Sequence, residues 1–309
     1  MPDPDPSSAP IARPPGSILE ALRVGAIDPE LAGLLWVLLD GGVPCLVAGA
    51  GDGPDDRARR SGFLDALLDL VPARRTRRRI DGPTDDFSWL ADAESLGWHR
   101  TLPADPVPAA PAATLLLAGE LGGSAPADPT GDRARLAIRA VGQGHLLAAT
   151  IPGERLEDVL DGLRRRPLRV TDDELARLGV VVVLAPDAVV RIGAVHYLRP
   201  LARDVHGHPQ RLPPAVLATW DPGTGRFEHF AWGVATELAA RVGRKVGDFE
   251  LERERRSVAL AALAAGSDGL TGSGGRYGRG RLESDRVAIG EALERIRGAA
   301  PTPPLGHRH

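Results

Sequence analysis

Between Val43 and Leu70 the chain passes from a continuous apolar run, Val43-Pro44-Cys45-Leu46-Val47-Ala48, through Gly49-Ala50-Gly51-Asp52-Gly53-Pro54-Asp55-Asp56, into a segment with Phe63, Leu64, Leu67 and Leu68 on one helical face. An apolar run without polar alternation suits a strand covered on both sides, as in a buried parallel sheet. The glycines then mark a tight loop, and a helix is expected over Ala58 to Leu70. Strand, glycine loop and helix in that order open a βαβ unit and commit the chain to an α/β architecture.

The alternation continues downstream. Apolar strands are expected at Ala113 to Ala118, His145 to Ile151 and Val180 to Leu184, with helices over Asp132 to Gly142, Leu156 to Arg165 and Asp172 to Leu178. A parallel sheet flanked by helices follows. Upstream, Ser17 caps a short helix that Gly25 stops, and Asp28 and Pro29 open a second helix that runs to Asp40 before Gly41-Gly42. Arg74 to Ile80 contains a short strand, and the proline-rich 103–111 stretch is a surface loop. After Val189 the texture changes to antiparallel strands with turns between them. The division expected is a disordered tail over 1–16, an α/β domain over 17–188, a small β-rich appendage with helix over 189–265, and a Gly-rich flexible tail with one helix near 282–297 over 266–309.

Composition narrows the function classes. The 309 residues are 43% hydrophobic and 26% charged, the balance of a chain with a core. A formal charge of -3 gives no general reason to expect nucleic acid, so no specific nucleic acid is assigned. Cys45 is the single cysteine, which excludes an intrachain disulfide and a cysteine-rich metal site and suits a reducing cytoplasm. The acidic, proline-broken start is not a secretory signal, and no apolar run approaches the roughly 20 residues of a membrane span.

The segments Leu46-Val47-Ala48-Gly49 through Phe63-Leu64-Asp65-Ala66-Leu67-Leu68, Leu115 to Glu120, and Gly144-His145-Leu146-Leu147-Ala148-Ala149-Thr150-Ile151 resemble, in order and spacing, the motor ATPases of type II and type IV secretion systems and type IV pili. The likeness runs from about Ser17 to Leu184. It implies a P-loop NTPase-like, RecA-like sheet, a phosphate loop at Gly49, Gly51 and Gly53, and Arg60-Ser61-Gly62 in place of the family's Lys-Thr-Thr. Glu120 takes the place of the acidic residue that orients water or helps to hold magnesium, and Pro152 stands where the family has histidine. A phosphate loop works because backbone N–H groups curl around phosphates while a lysine reaches the outer ones. Here Pro54 removes a donor, Asp52, Asp55 and Asp56 add negative charge, and an arginine is no replacement for a compact ammonium.

The resemblance therefore implies a hydrolysis-deficient structural or regulatory subunit in the cytoplasm, assembling with itself or with an active motor homologue and touching a membrane secretion or pilus complex only peripherally. The rival is an active ATPase using Arg60, Ser61 and Glu120 with ATP and Mg2+; for the worn loop itself no cofactor is assigned. A third reading is an interaction module whose arginine runs, Arg74 to Arg79 foremost, bind acidic partners. His196, His206 and His208 lack the spacing and the carboxylate of a zinc site, and Ser61 and Ser95 lack a nucleophile elbow. Trp220, Phe227, Phe230 and Trp232 are expected to form the core of the appendage.

Overall fold

The computed structural model describes residues 13–80, 84–99, 101, 103–105, 107–123, 128–129, 131–187, 189–203, 206, 208–266 and 279–298. The first two helices begin where their side-chain caps dictate. Ser17 Oγ accepts the Glu20 N–H ahead of α1 (Ile18–Arg23), and Asp28 Oδ1 accepts the Leu31 N–H at 2.8 Å ahead of α2 (Pro29–Asp40). Then follow β1 (Cys45–Gly49), α3 (Pro54–Leu67), β2 (Thr76–Ile80), β3 (Thr114–Glu120), α4 (Gly131–Val141) and β4 (Leu146–Pro152). After these come α5 (Leu156–Arg164), α6 (Asp172–Leu175), β5 (Val180–Leu184) and β6 (Ile192–Tyr197), and then the short pair β7 (Ala202–Arg203) and β8 (Pro209–Gln210). β9 (Ala215–Asp221), β10 (Arg226–His229), α7 (Ala235–Arg241), α8 (Val246–Gly266) and α9 (Arg279–Gly298) complete the order.

The strands build an eight-stranded sheet ordered β10-β9-β6-β5-β1-β4-β3-β2. From β5 to β2 every neighbour is parallel; from β5 outward through β6, β9 and β10 every neighbour is antiparallel. The fold is α/β, with helices on both faces. Alternation along β1 divides the core: Cys45 and Val47 join residues of α1, α2, α3 and α8, while Leu46 and Ala48 join α4, α5 and the Phe87-Trp89-Leu90 segment. Trp36 and Phe63 on the first face are fully buried, each contributing about 2–3 kcal/mol by the area removed from water. α2 and α8 approach so closely at Gly33 that a β-carbon there would lie 2.1 Å from Ser257 Oγ and 2.9 Å from the Arg253 carbonyl. An alanine at that point would push the two helices apart.

Several expectations are corrected. Residues 189–265 are not an appendage: β6 pairs with β5 and extends the main sheet, and Phe249 and Leu260 of α8 belong to its core. The expected helical stretch there breaks between α7 and α8, where Gly243 adopts φ +68°. Trp220 and Phe227 meet edge to face at 5.0 Å but are only half-buried, and Trp232 is 77% exposed, so these aromatics form no core of their own. α3 starts at Pro54 rather than Ala58, because Gly53 caps it, Pro54 fills its first position and Asp55 and Asp56 favour its N-terminal dipole. Of the expected tail, 13–16 are described and Pro15 is buried, while 1–12 lie outside the described residues, as do 267–278 and 299–309. Among the described residues no helix is long and apolar enough to cross a membrane.

Candidate functional site

Open α/β sheets place ligands at the carboxyl ends of their strands, and there the ends of β1, β3 and β4 bring the sequence candidates together. β1 delivers Gly49, and the chain turns through Ala50 to Gly53 into α3. Gly51 holds φ +75°, and a β-carbon on it would lie 2.0 Å from Asp56 Oδ2. Only glycine fits both conditions. Asp56 reaches back to accept the Gly53 N–H at 3.2 Å, so that donor is already engaged.

Arg60 lies on the face of α3 turned toward this loop and is 1% exposed. Its Nη1 donates to the carbonyls of Gly49 at 3.0 Å, Ala50 at 3.0 Å and Gly51 at 2.8 Å. Nε and Nη2 both donate to Glu120 Oε2, at 2.8 and 2.5 Å. Glu120, 3% exposed at the end of β3, meets a second arginine through Oε1, which lies 3.2 Å from Arg57 Nε. Arg57 also approaches Asp128, whose Oδ1 accepts the Glu120 backbone N–H at 3.1 Å. The loop thus turns acceptors inward. A phosphate seat needs converging N–H donors, whereas converging carbonyls and a carboxylate suit a cation, and the chain's own guanidinium is that cation.

The other candidates fall outside this contact. Ser61 is exposed in the middle of α3, its hydroxyl donating to the Ala58 carbonyl at 3.3 Å. Counting from the observed helix start, Pro54 and Asp55 occupy the positions where a phosphate loop carries its lysine and its Ser/Thr. Pro152 ends β4 opposite Gly49. Both oxygens of Glu120 face arginines. Arg57 and Asp128 escaped the sequence reading; the i, i+3 spacing of Arg57 and Arg60 on one helix face was the available signal for the first. Asp128 reaches the site through the loop after β3, a placement no local pattern encodes.

The remaining sequence candidates are dispersed. Of the basic run, Arg75 donates to the carbonyls of Ala112 and Asp40, Arg77 to that of Leu68, and Arg78 stacks 4.7 Å above Trp89. Arg77 to Arg79 lie in β2, the sheet's edge strand, where charge discourages pairing with another chain. His206 and His208 stand 6.2 Å apart by ring centroid, and burial lowers His196 on β6. Among the described residues no group of three or more His, Cys, Asp or Glu side chains is placed to hold a metal. Burial pushes the Cys45 thiol up to about 12, far from nucleophilic use. No protein-family model matches the chain, and no curated protein matches it.

Proposed function

We propose that the chain is a non-hydrolysing relative of the secretion and pilus motor ATPases, built on a RecA-like phosphate-loop plan and serving in the cytoplasm as a structural or regulatory subunit beside active homologues or copies of itself. The parallel block β5-β1-β4-β3-β2, with its glycine loop after β1 and its acidic residue at the end of β3, is compatible with that plan. The observation that carries the reading is Arg60: its guanidinium is held by three loop carbonyls and by Glu120, at the loop where the resemblance expects phosphate. Evicting it would leave Glu120 and those carbonyls without their donor, a cost that nucleotide binding would have to meet.

Titration of the full chain with a fluorescent ATP analogue and Mg2+, together with a phosphate-release assay, tests this. No saturable binding that depends on Arg60 and no release above background are expected. Micromolar binding that Arg60→Ala abolishes, or hydrolysis that Glu120→Gln abolishes, would overturn it in favour of an active enzyme.

A further inference from the structure

At the opposite, amino end of the sheet a cavity of about 760 Å3 opens between the end of α2, the start of α8 and the last turn of α9. Its inner wall is an arginine cluster around two carboxylates. Arg256, 1% exposed, donates to Asp40 at 2.8 Å and to Glu252 at 2.6 Å; Arg297 meets Asp40 at 3.2 Å; Arg255 holds Glu252 at 2.8 Å. Arg297 also pairs with Glu294, just behind the wall, so these three guanidiniums are matched by three carboxylates, and the surplus charge comes from the outer wall. The outer wall adds Arg74, 66% exposed and 3.6 Å from Asp40, and the neighbouring Arg244 and Lys245, which form no ion pair among the described residues. Against these cations, among the described residues, the outer wall sets Asp248.

Excess positive charge inside a concave, partly desolvated space is unfavourable unless an anion enters, and low-dielectric walls concentrate its field. α8 starts at Val246, directly after Lys245, so its N-terminal dipole adds to that field. Arg75, whose guanidinium donates to the Asp40 carbonyl, is held below the usual arginine range chiefly by its own burial, with Asp40 opposing and Arg74 and Arg297 adding lesser repulsion. Guanidinium forks match phosphate oxygens, and the space exceeds what one inorganic phosphate fills.

We propose that this cavity binds a small, multiply charged phosphate compound of the di- or triphosphate class, with Arg74, Arg244 and Lys245 as its recognition groups over the fixed arginine wall. The site is independent of the Arg60 loop and lies at the other end of the sheet.

Calorimetric titration of the full chain with sodium tripolyphosphate, without divalent metal, tests the proposal. Sub-millimolar binding is expected, weakening as salt rises, with Kd raised at least tenfold in the exposed-residue variant Arg244→Gln/Lys245→Gln and unchanged in Arg155→Gln, whose side chain is 76% exposed at the far edge. Equal binding by wild type and Arg244→Gln/Lys245→Gln, an equal loss in Arg155→Gln, or no binding to the wild-type chain would each overturn it.

Discussion

Among the described residues two arginines are 1% exposed, Arg60 at the carboxyl end of the sheet and Arg256 at the amino end, and they are held in different ways. Arg60 relies on one carboxylate, which Arg57 also faces through Oε1, and on three backbone carbonyls of a single loop. Arg256 shares its partners: Asp40 also meets Arg297 and Arg74, and Glu252 also meets Arg255. The first arrangement is a plug whose removal orphans a site. The second is a network with spare cations, and it borders an open cavity. A strong buried ion pair thus closes the sheet end where ligands ordinarily bind, while surplus charge gathers at the end where they ordinarily do not.

Removing the plug is the harshest way to break this contrast. Arg60→Ala leaves Glu120 buried opposite Arg57 alone and strips the loop carbonyls of their donor, so a loss of about 3–5 kcal/mol in urea unfolding is expected. The double variant Arg60→Met/Glu120→Gln removes the orphaned charge yet leaves the carbonyls of Gly49, Ala50 and Gly51 unanswered. It should recover part of the loss and not all. Full recovery would mean that the carbonyl contacts contribute nothing. Arg256→Ala comes next, at about 2–3 kcal/mol, smaller because Arg297 and Arg255 remain to neutralise Asp40 and Glu252. If it costs as much as Arg60→Ala, the network has no redundancy and the distinction fails.

Much of the fold is legible before any coordinates, because it rests on local signals. Asp28, Pro29 and the Gly41-Gly42 pair mark both ends of α2, and the apolar run Val180 to Leu184 is β5 residue for residue. The site is legible as a set but not in its meaning. Gly49, Gly51, Gly53, Arg60 and Glu120 do converge, yet whether a loop turns N–H or C=O groups inward depends on backbone angles such as that of Gly51, which composition does not reveal. Residues 189–265 were misjudged for another reason. An antiparallel run reads alike whether it stands apart or joins a sheet, and the pairing of Val182 with Val195 that decides it is non-local. Trp232 follows the same logic: an aromatic in a helical turn suggests a core that the tertiary packing does not supply.

Two histidines away from both arginines respond to acid with opposite signs. His145, 2% exposed just ahead of β4 at the amino end and edge-on to Trp89 at 5.9 Å, is lowered by burial to about 4. The unfolded chain takes up a proton from about pH 6.5 downward that the folded chain refuses, so stability present at neutral pH is lost as pH falls from 6.5 toward 4. That group should account for as much as about 2 kcal/mol across the window, after allowance for screening. His145→Phe keeps the ring contact and removes the proton. On acidification from pH 7 to 4.5 the wild-type urea midpoint should fall relative to that of His145→Phe, and an unchanged difference between them would remove His145 from the acid response.

The smallest expected effect has the opposite sign and sits at the start of α2, whose far end carries the Asp40 network. Burial alone would lower His229, but its 2.8 Å contact with Asp28 and the charges of Asp28 and Glu30 outweigh that and leave it above its usual value. A raised group contributes its full stability below the unfolded value of about 6.5 and loses it as pH climbs through the folded one. The pair is partly exposed and screened, so His229→Asn should cost well under 1 kcal/mol at pH 6 and less still at pH 8.5. Unfolding the His229→Asn chain at both pH values checks the sign. A cost that stays the same between the two pH values would show that Asp28 serves α2 through its cap to Leu31 alone, with no electrostatic help from β10.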